Sequence, residues 1–269
     1  MNREQRGLQE KDTEDSEFEV FEEEGPQGRP RRGVFLLPNL FTTGALFAGF
    51  YAILAAFNGD FAQAAIAVLI AGILDGMDGG VARLTNTQSR FGAEYDSLSD
   101  CVAFGVAPAL VAWTWGLSEL GNVGWVAAFI YLACGALRLA RFNVERGDDQ
   151  DKRYFVGLPS PSGAGLVATM VWLGASRGID GHEIAWIVAG VTVAAGLLMV
   201  SSIPYNSFKE LRIGRVPFRV LLGVIVLLAI VFIDPPLVLL SAAVLYVSSG
   251  LATALWRRWR KAERAPAGD

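Results

Sequence analysis

A chain of 269 residues has room for one or two soluble domains, but 52% apolar residues and a mean hydropathy of +0.38 point to a membrane protein instead. The formal net charge of −4 comes largely from the first 25 residues, and the remainder of the chain is basic and strongly apolar. That balance excludes an ordinary water-soluble enzyme, and no nucleic-acid partner is expected.

Taken in order, residues 1–33 are rich in Glu, Asp, Gln, Gly and Pro. They offer too little apolar surface to offset ordering entropy and are expected to form a disordered, acidic cytoplasmic tail. No apolar run occurs there, so a secretory signal is not expected. Arg29, Arg31 and Arg32 then precede the first of eight apolar stretches, each near the ~20 residues that cross a bilayer. Their approximate limits are Phe35–Phe57, Phe61–Val81, Cys101–Gly116, Val123–Leu139, Ser162–Ala175, Glu183–Val200, Phe218–Ile233 and Leu237–Leu255. The expected fold is therefore all-α, a polytopic membrane bundle of about eight transmembrane helices. Cys101 and Cys134 fall in apolar stretches and read as small buried hydrophobes, not as a disulfide or metal pair.

Loop charge orients the bundle. Arg83 and Arg90 follow the second stretch; Arg138, Arg141, Arg146, Lys152 and Arg153 cluster after the fourth; Lys209, Arg212, Arg215 and Arg219 follow the sixth. The C-terminus adds Arg257, Arg258, Arg260, Lys261 and Arg264, and the alternate loops hold almost no basic residue besides Arg177. The positive-inside rule then puts both termini on the cytoplasmic side. His182, the single histidine, falls on the opposite side and reads as a solvated loop residue.

The chemistry is concentrated between Asp75 and Asp100. Asp75 and Asp78 are three residues apart, Asp96 and Asp100 four apart, so on helices each pair shares a face. Two helices joined by a break around Thr85 to Gly92 would form a hairpin with four carboxylates at its closed, cytoplasmic end. Such a cluster repels itself severely unless cations sit within it. Oxygen-only donors suit hard divalent ions, and two such ions roughly 3.5–4 Å apart clamp the attacking and leaving oxygens of a phosphoryl displacement. Gly79 and Ala82 remove bulk where a base or phosphate approaches, and Arg83 offers a planar fork for phosphate oxygens. With no histidine nearby, base duty falls to a carboxylate or to water.

The full spacing, D-x2-D-G-x2-A-R-x8-G-x3-D-x3-D, resembles the signature of the CDP-alcohol phosphatidyltransferases at every fixed position. Three further segments, RLARFN from Arg138, YFVGLPSPSGA from Tyr154 and SSIPYNSFK from Ser201, are similar to the phosphatidylserine synthase branch of that family. The resemblance runs from about Leu37 to Lys209. It implies transfer of a phosphatidyl group from CDP-diacylglycerol to L-serine. It also implies Mg2+ or Mn2+, as two ions held by Asp75, Asp78, Asp96 and Asp100, with Asp100 as proton acceptor. Contacts to CDP-diacylglycerol are implied for Asn39, Thr42, Asp75, Gly79, Ala82, Arg83 and Ser89. Arg138, Arg141 and Lys209 are the candidates for the serine carboxylate. A catalytic domain over 34–220, additional helices over 221–257 and a basic cytoplasmic tail over 258–269 complete the organisation.

Relatives of this kind are commonly homodimers of the bacterial inner membrane with the active site facing the cytoplasm. The small residues Gly44, Ala45, Ala48 and Gly49 suggest close helix approach. Two alternatives stay open on sequence: another acceptor, such as glycerol 3-phosphate, inositol phosphate or choline, and an ion-coupled transporter built on intramembrane carboxylates.

Overall fold

The computed structural model describes residues 36–85, 89–145, 154–206 and 218–263. The acidic tail and Lys209 lie outside the described residues. Helices dominate: α1 (Leu36–Phe57), α2 (Phe61–Thr85), α3 (Arg90–Asp100), α4 (Ala107–Trp115), α5 (Asn122–Glu145), α6 (Ser160–Ser176), α7 (Ala185–Val200), α8 (Phe218–Ile233) and α9 (Pro235–Glu263). A π-helical segment, Cys101–Val106, joins α3 to α4, and a 3-10 turn, Leu117–Leu120, precedes α5.

All eight expected stretches are helical. Five spans are long and apolar enough to cross a bilayer on those grounds alone: Pro38–Phe57, Phe61–Val81, Phe91–Trp115, Asn122–Val144 and Pro235–Ala254. The chain is a multi-pass integral membrane protein. The third span differs from the expectation in one respect. It starts ten residues earlier than Cys101, because the helix bearing Asp96 and Asp100 runs without a break into the apolar segment behind it. The C-terminal helix likewise continues through the basic residues after Trp256 as far as Glu263.

The π segment has an identifiable cause. In a regular α-helix the Phe104 carbonyl would accept from residue 108, but Pro108 has no N–H and its ring crowds that carbonyl. The helix widens instead, and the Ala107 N–H bonds the carbonyl of Val102, five residues back. Phe104 O is then served from another helix: the hydroxyl of Tyr131, on α5 and wholly buried, donates to it at 2.9 Å.

Around this point the packing is built on small side chains. One buried cluster contains Ala45, Ala48, Ala52, Ala65, Ala71, Ala103 and Ala164, with Phe104 buried among them and Trp172 packed against it. A Cβ placed on Gly49 would stand 2.7 Å from the Ala103 backbone, and one on Gly44 would press Leu74 at 3.3 Å. The stripe Gly44, Ala45, Ala48, Gly49 is thus used inside the chain, bringing α1 against α2 and the π segment. The close helix approach expected of these residues is met within the chain.

Two three-residue strands complete the architecture. β1 (Tyr154–Val156) pairs antiparallel with β2 (Pro204–Asn206), Phe155 opposite Tyr205. Gly157, at φ +86, turns the chain out of the ladder, and its N–H bonds Ile203 O at 2.9 Å. The YFVGLPSPSGA and SSIPYNSFK segments are therefore tied to each other through this ladder.

Tyr131→Phe should remove this interhelical donor from the Phe104 carbonyl and lower stability by about 0.5–1.5 kcal/mol. Adding Pro108→Ala, which restores a local N–H, should recover part of that loss. Thermal unfolding of the purified protein in detergent measures both; no difference between Tyr131→Phe and wild type would remove the hydroxyl from this role.

Candidate active site

The closed end of the α2–α3 hairpin carries the site. Ser89 starts α3 as its N-cap, with extended backbone and an Oγ that accepts the Gly92 N–H at 3.0 Å. That cap fixes where α3 begins, and hence which face holds Asp96 and Asp100. Gly92 keeps this entrance open, since a Cβ there would lie 3.1 Å from Ser89 Oγ and 3.4 Å from Asn39 Oδ1.

From opposite sides of the hairpin, one carboxylate oxygen each of Asp75, Asp78 and Asp96 lie within 4.8 Å of one another. Asp100 joins them: it hydrogen-bonds Asp75 and feels the charges of Asp96 and Asp78. Carboxyl groups this close need a proton or a cation between them. The donor set is all oxygen, from residues half-buried or buried, and it fits a hard divalent ion. The spacing argument thus brings all four aspartates to one place.

The N-terminal end of α1 braces this cluster from the side. Thr42, 4% exposed, donates from its hydroxyl to Asp78 Oδ2 at 2.7 Å, and Asp78 itself is 6% exposed. The same hydroxyl lies 3.1 Å from Pro38 O. In return, the buried Ser99 of α3 donates to Thr42 O at 3.0 Å, and Thr43 Oγ1 meets the Tyr95 hydroxyl at 2.9 Å. One turn of α1 therefore fixes a carboxylate on α2 and two polar side chains on α3. Nothing in the aspartate spacing marks Ser99 or Tyr95; Thr42 was expected at the nucleotide, and the structure shows its hydroxyl on Asp78.

On the other side stands α5. Asn143 donates from Nδ2 to Ser97 Oγ at 3.0 Å, holding α5 to α3 between Asp96 and Asp100. Arg138 is half-buried and within electrostatic reach of Asp100, Arg141 and Tyr246, whereas Arg141 is exposed. Arg138 is thus the more shielded of the two arginines, and Arg141 lies toward solvent. Gly79 follows Asp78 on α2, and its N–H bonds the Asp78 carboxylate. The side chains of Ala82 and Arg83 lie outside the described residues, as does Lys209. His182 sits at the far end, beside Glu119 at 3.7 Å, where the loop before α7 meets the end of α4. Both cysteines are free.

The family model described as CDP-alcohol phosphatidyltransferase matches residues 35–200, a segment that contains the whole hairpin, its α1 brace and Arg138. The chain belongs to the CDP-alcohol phosphatidyltransferase family. A Helicobacter pylori relative named CDP-diacylglycerol–serine O-phosphatidyltransferase is 38% identical over 206 residues, covering 77% of this chain and 85% of the relative. A Mycobacterium tuberculosis protein of the same name is 36% identical over 223 residues, covering 80% and 76%. An archaetidylserine synthase from Methanothermobacter thermautotrophicus is 33% identical over 171 residues, covering 63% and 69%. Within this phosphatidyltransferase, α8, α9 and β2 lie beyond the matched segment.

Thr42 orients a candidate metal ligand without being one, and removal of such outer partners weakens metal binding by ~10–100-fold in other proteins. Thr42→Val should show a loss of that order in a Mn2+ titration followed by electron paramagnetic resonance. Thr42→Ser, which retains the hydroxyl, should recover most of the affinity. Equal affinities in all three proteins would leave the Thr42–Asp78 bond without a part in holding an ion.

Proposed function

We propose that this protein transfers the phosphatidyl group of CDP-diacylglycerol to the hydroxyl of L-serine, giving phosphatidylserine and CMP. The observation that carries the reading is the meeting of Asp75, Asp78 and Asp96 within 4.8 Å, with Asp100 beside them, at the end of two membrane spans. Relatives named for serine transfer match across the same residues and supply the acceptor.

Asp75, Asp78 and Asp96 would hold the divalent ions, two Mg2+ or Mn2+, with Asp100 close enough to join them. When bound, such ions neutralise the pyrophosphate and polarise the reacting phosphoryl group. Asp100 accepts the proton of the serine hydroxyl. The serine oxygen forms a bond to the lipid-side phosphorus, the bond from that phosphorus to the CMP oxygen breaks, and CMP leaves with the electron pair. Gly79 and Ala82 leave space along α2 for the nucleotide, while Arg83 offsets charge on the pyrophosphate. Asn39 and Ser89, at the hairpin entrance, border the cytidine. Thr42 acts on the same substrate through Asp78, to which its hydroxyl is bonded. Arg138 receives the serine carboxylate in a bidentate fork, with Arg141 and Lys209 as further cations of that side.

The site faces the cytoplasm of a bacterial inner membrane, where soluble serine and the charged head of CDP-diacylglycerol are both within reach; the basic loops support that orientation. A homodimer belongs to the same proposal on family resemblance.

The test is CMP release by purified protein given CDP-diacylglycerol with serine, glycerol 3-phosphate, inositol phosphate or choline. Serine alone should support turnover; preference for another acceptor would overturn the assignment. Exhaustive chelation should abolish activity, and added Mg2+ or Mn2+ should restore it. Asp100→Asn should lower kcat by ~10²–10⁴-fold, and near wild-type turnover in that variant would take the base role from Asp100.

A further inference from the structure

The proposed reaction gives partners to the hydroxyl and the carboxylate of serine but none to its ammonium. A group for that role must accept hydrogen bonds, stand near Asp100 and be open to water. It should also be neutral, because a fifth carboxylate would add to the repulsion within the cluster and compete for the same hard ions. Asn143, in the RLARFN segment at the end of α5, meets each condition. It is half-buried, with exposed neighbours at Arg141 and Val144.

Its place is fixed by hydrogen bonds and by backbone packing. Asn143 Nδ2 donates to Ser97 Oγ at 3.0 Å, and the Tyr131 hydroxyl, earlier on the same helix, donates to Phe104 O at 2.9 Å. Between these bonds the helices meet through glycines: a Cβ on Gly135 would stand 3.8 Å from Gly105 Cα. α5 is therefore pinned along the third span at three points. Ser97 comes three positions before Asp100, so their side chains are neighbours on α3, about 5–6 Å apart at Cβ. The Asn143 amide thus lies one side chain away from the proposed base.

The hydrogen-bond inventory leaves that amide with capacity. Ser97 Oγ is 3.0 Å from Ala93 O and 3.2 Å from Asn143 Oδ1. Its single hydrogen serves one of these oxygens at a time. The bond to Ala93 O, four residues back on its own helix, is the shorter. With the hydrogen there, Asn143 Oδ1 has no donor among the described residues and keeps its lone pairs for a ligand. An ammonium brings three donors to such an oxygen. In serine the ammonium and the hydroxyl sit on adjacent carbons, so a hydroxyl at Asp100 brings the ammonium to the neighbouring amide.

We infer that Asn143 binds the ammonium group of the acceptor through Oδ1, with Ser97 holding the amide in place. This rests on the serine transfer proposed above and gives it a selectivity element. Glycerol 3-phosphate and inositol phosphate carry no ammonium, and the quaternary nitrogen of choline has no N–H to donate.

Competitive inhibition of CMP release by the full-length protein tests this, with L-alanine and propionate as probes. Both carry the carboxylate and lack the reacting hydroxyl; they differ in the ammonium. Wild type should bind L-alanine about tenfold more tightly than propionate. Asn143→Leu, which keeps the side-chain volume and removes its polar atoms, should bring the two inhibition constants together. It should raise the serine KM about tenfold, with the CDP-diacylglycerol KM unchanged. Ser97→Ala, which releases the amide without deleting it, should shift the ratio the same way by less, and it decides the matter if Asn143→Leu does not fold. A wild type that does not prefer L-alanine, or a preference untouched by these variants, overturns the inference while serine turnover stands. Equal rises in the serine and CDP-diacylglycerol KM values would make Asn143 a packing residue and overturn it too. If wild type releases CMP with another acceptor and not with serine, the proposed function fails and the inference falls with it.

Discussion

The structure depends on a single electrostatic constraint: four carboxylates gathered where two apolar spans end. Exposed to water, the cluster would be cheap and useless; deep in hydrocarbon, it would be prohibitive. The fold resolves this by surrounding the cluster with polar groups that each have a second attachment. Thr42 binds Asp78 while its carbonyl receives Ser99, and Asn143 holds Ser97 between the two aspartates of α3. None of these groups supplies a cation, so each orients the acidic side chains without neutralising them. The oxygen-only set of Asp75, Asp78 and Asp96 could hold a metal ion.

Close helix approach is the second condition. Carboxylates from α2 and α3 converge only if the helices behind them come near one another, and the Ala- and Gly-lined contact of α1 with α2 and the π segment permits this. In lipid there is no hydrophobic drive to bring helices together, so small residues and interhelical hydrogen bonds carry the association. The same residues therefore act twice, first in packing the bundle and then in setting the spacing of the site.

Much of this was legible in the sequence. Apolar run length and the alternation of basic loops gave the helices, and the three- and four-residue spacings placed all four aspartates on facing surfaces. What escaped had no local signature. Thr42 reaches Asp78 across 36 positions, and Tyr246 meets the Tyr205 ring from a helix with no spacing relation to the motif. The ladder of Tyr154–Val156 with Pro204–Asn206 is too short for strand periodicity and depends on the turn at Gly157. The small-residue stripe was visible, but a pattern of Gly and Ala carries no record of whether its partner is the same chain or another. Pro108 was the one readable sign of the π segment: a proline inside an apolar run must displace a hydrogen bond somewhere.

That widened turn has a consequence for how the third span can vary. An α-helix couples its two ends rigidly, since each residue advances the face by about 100°. The surplus residue accommodated between Asp100 and Pro108 resets the angular phase, so the acidic end and the apolar end are aligned independently. One end keeps register with the hairpin and its carboxylates. The other keeps register with the far rim, where Trp115 lies against Gly174 and Gly181. The span behaves as two short rods on a fixed joint, and the stiffness of that joint rests on a phenol from the neighbouring helix.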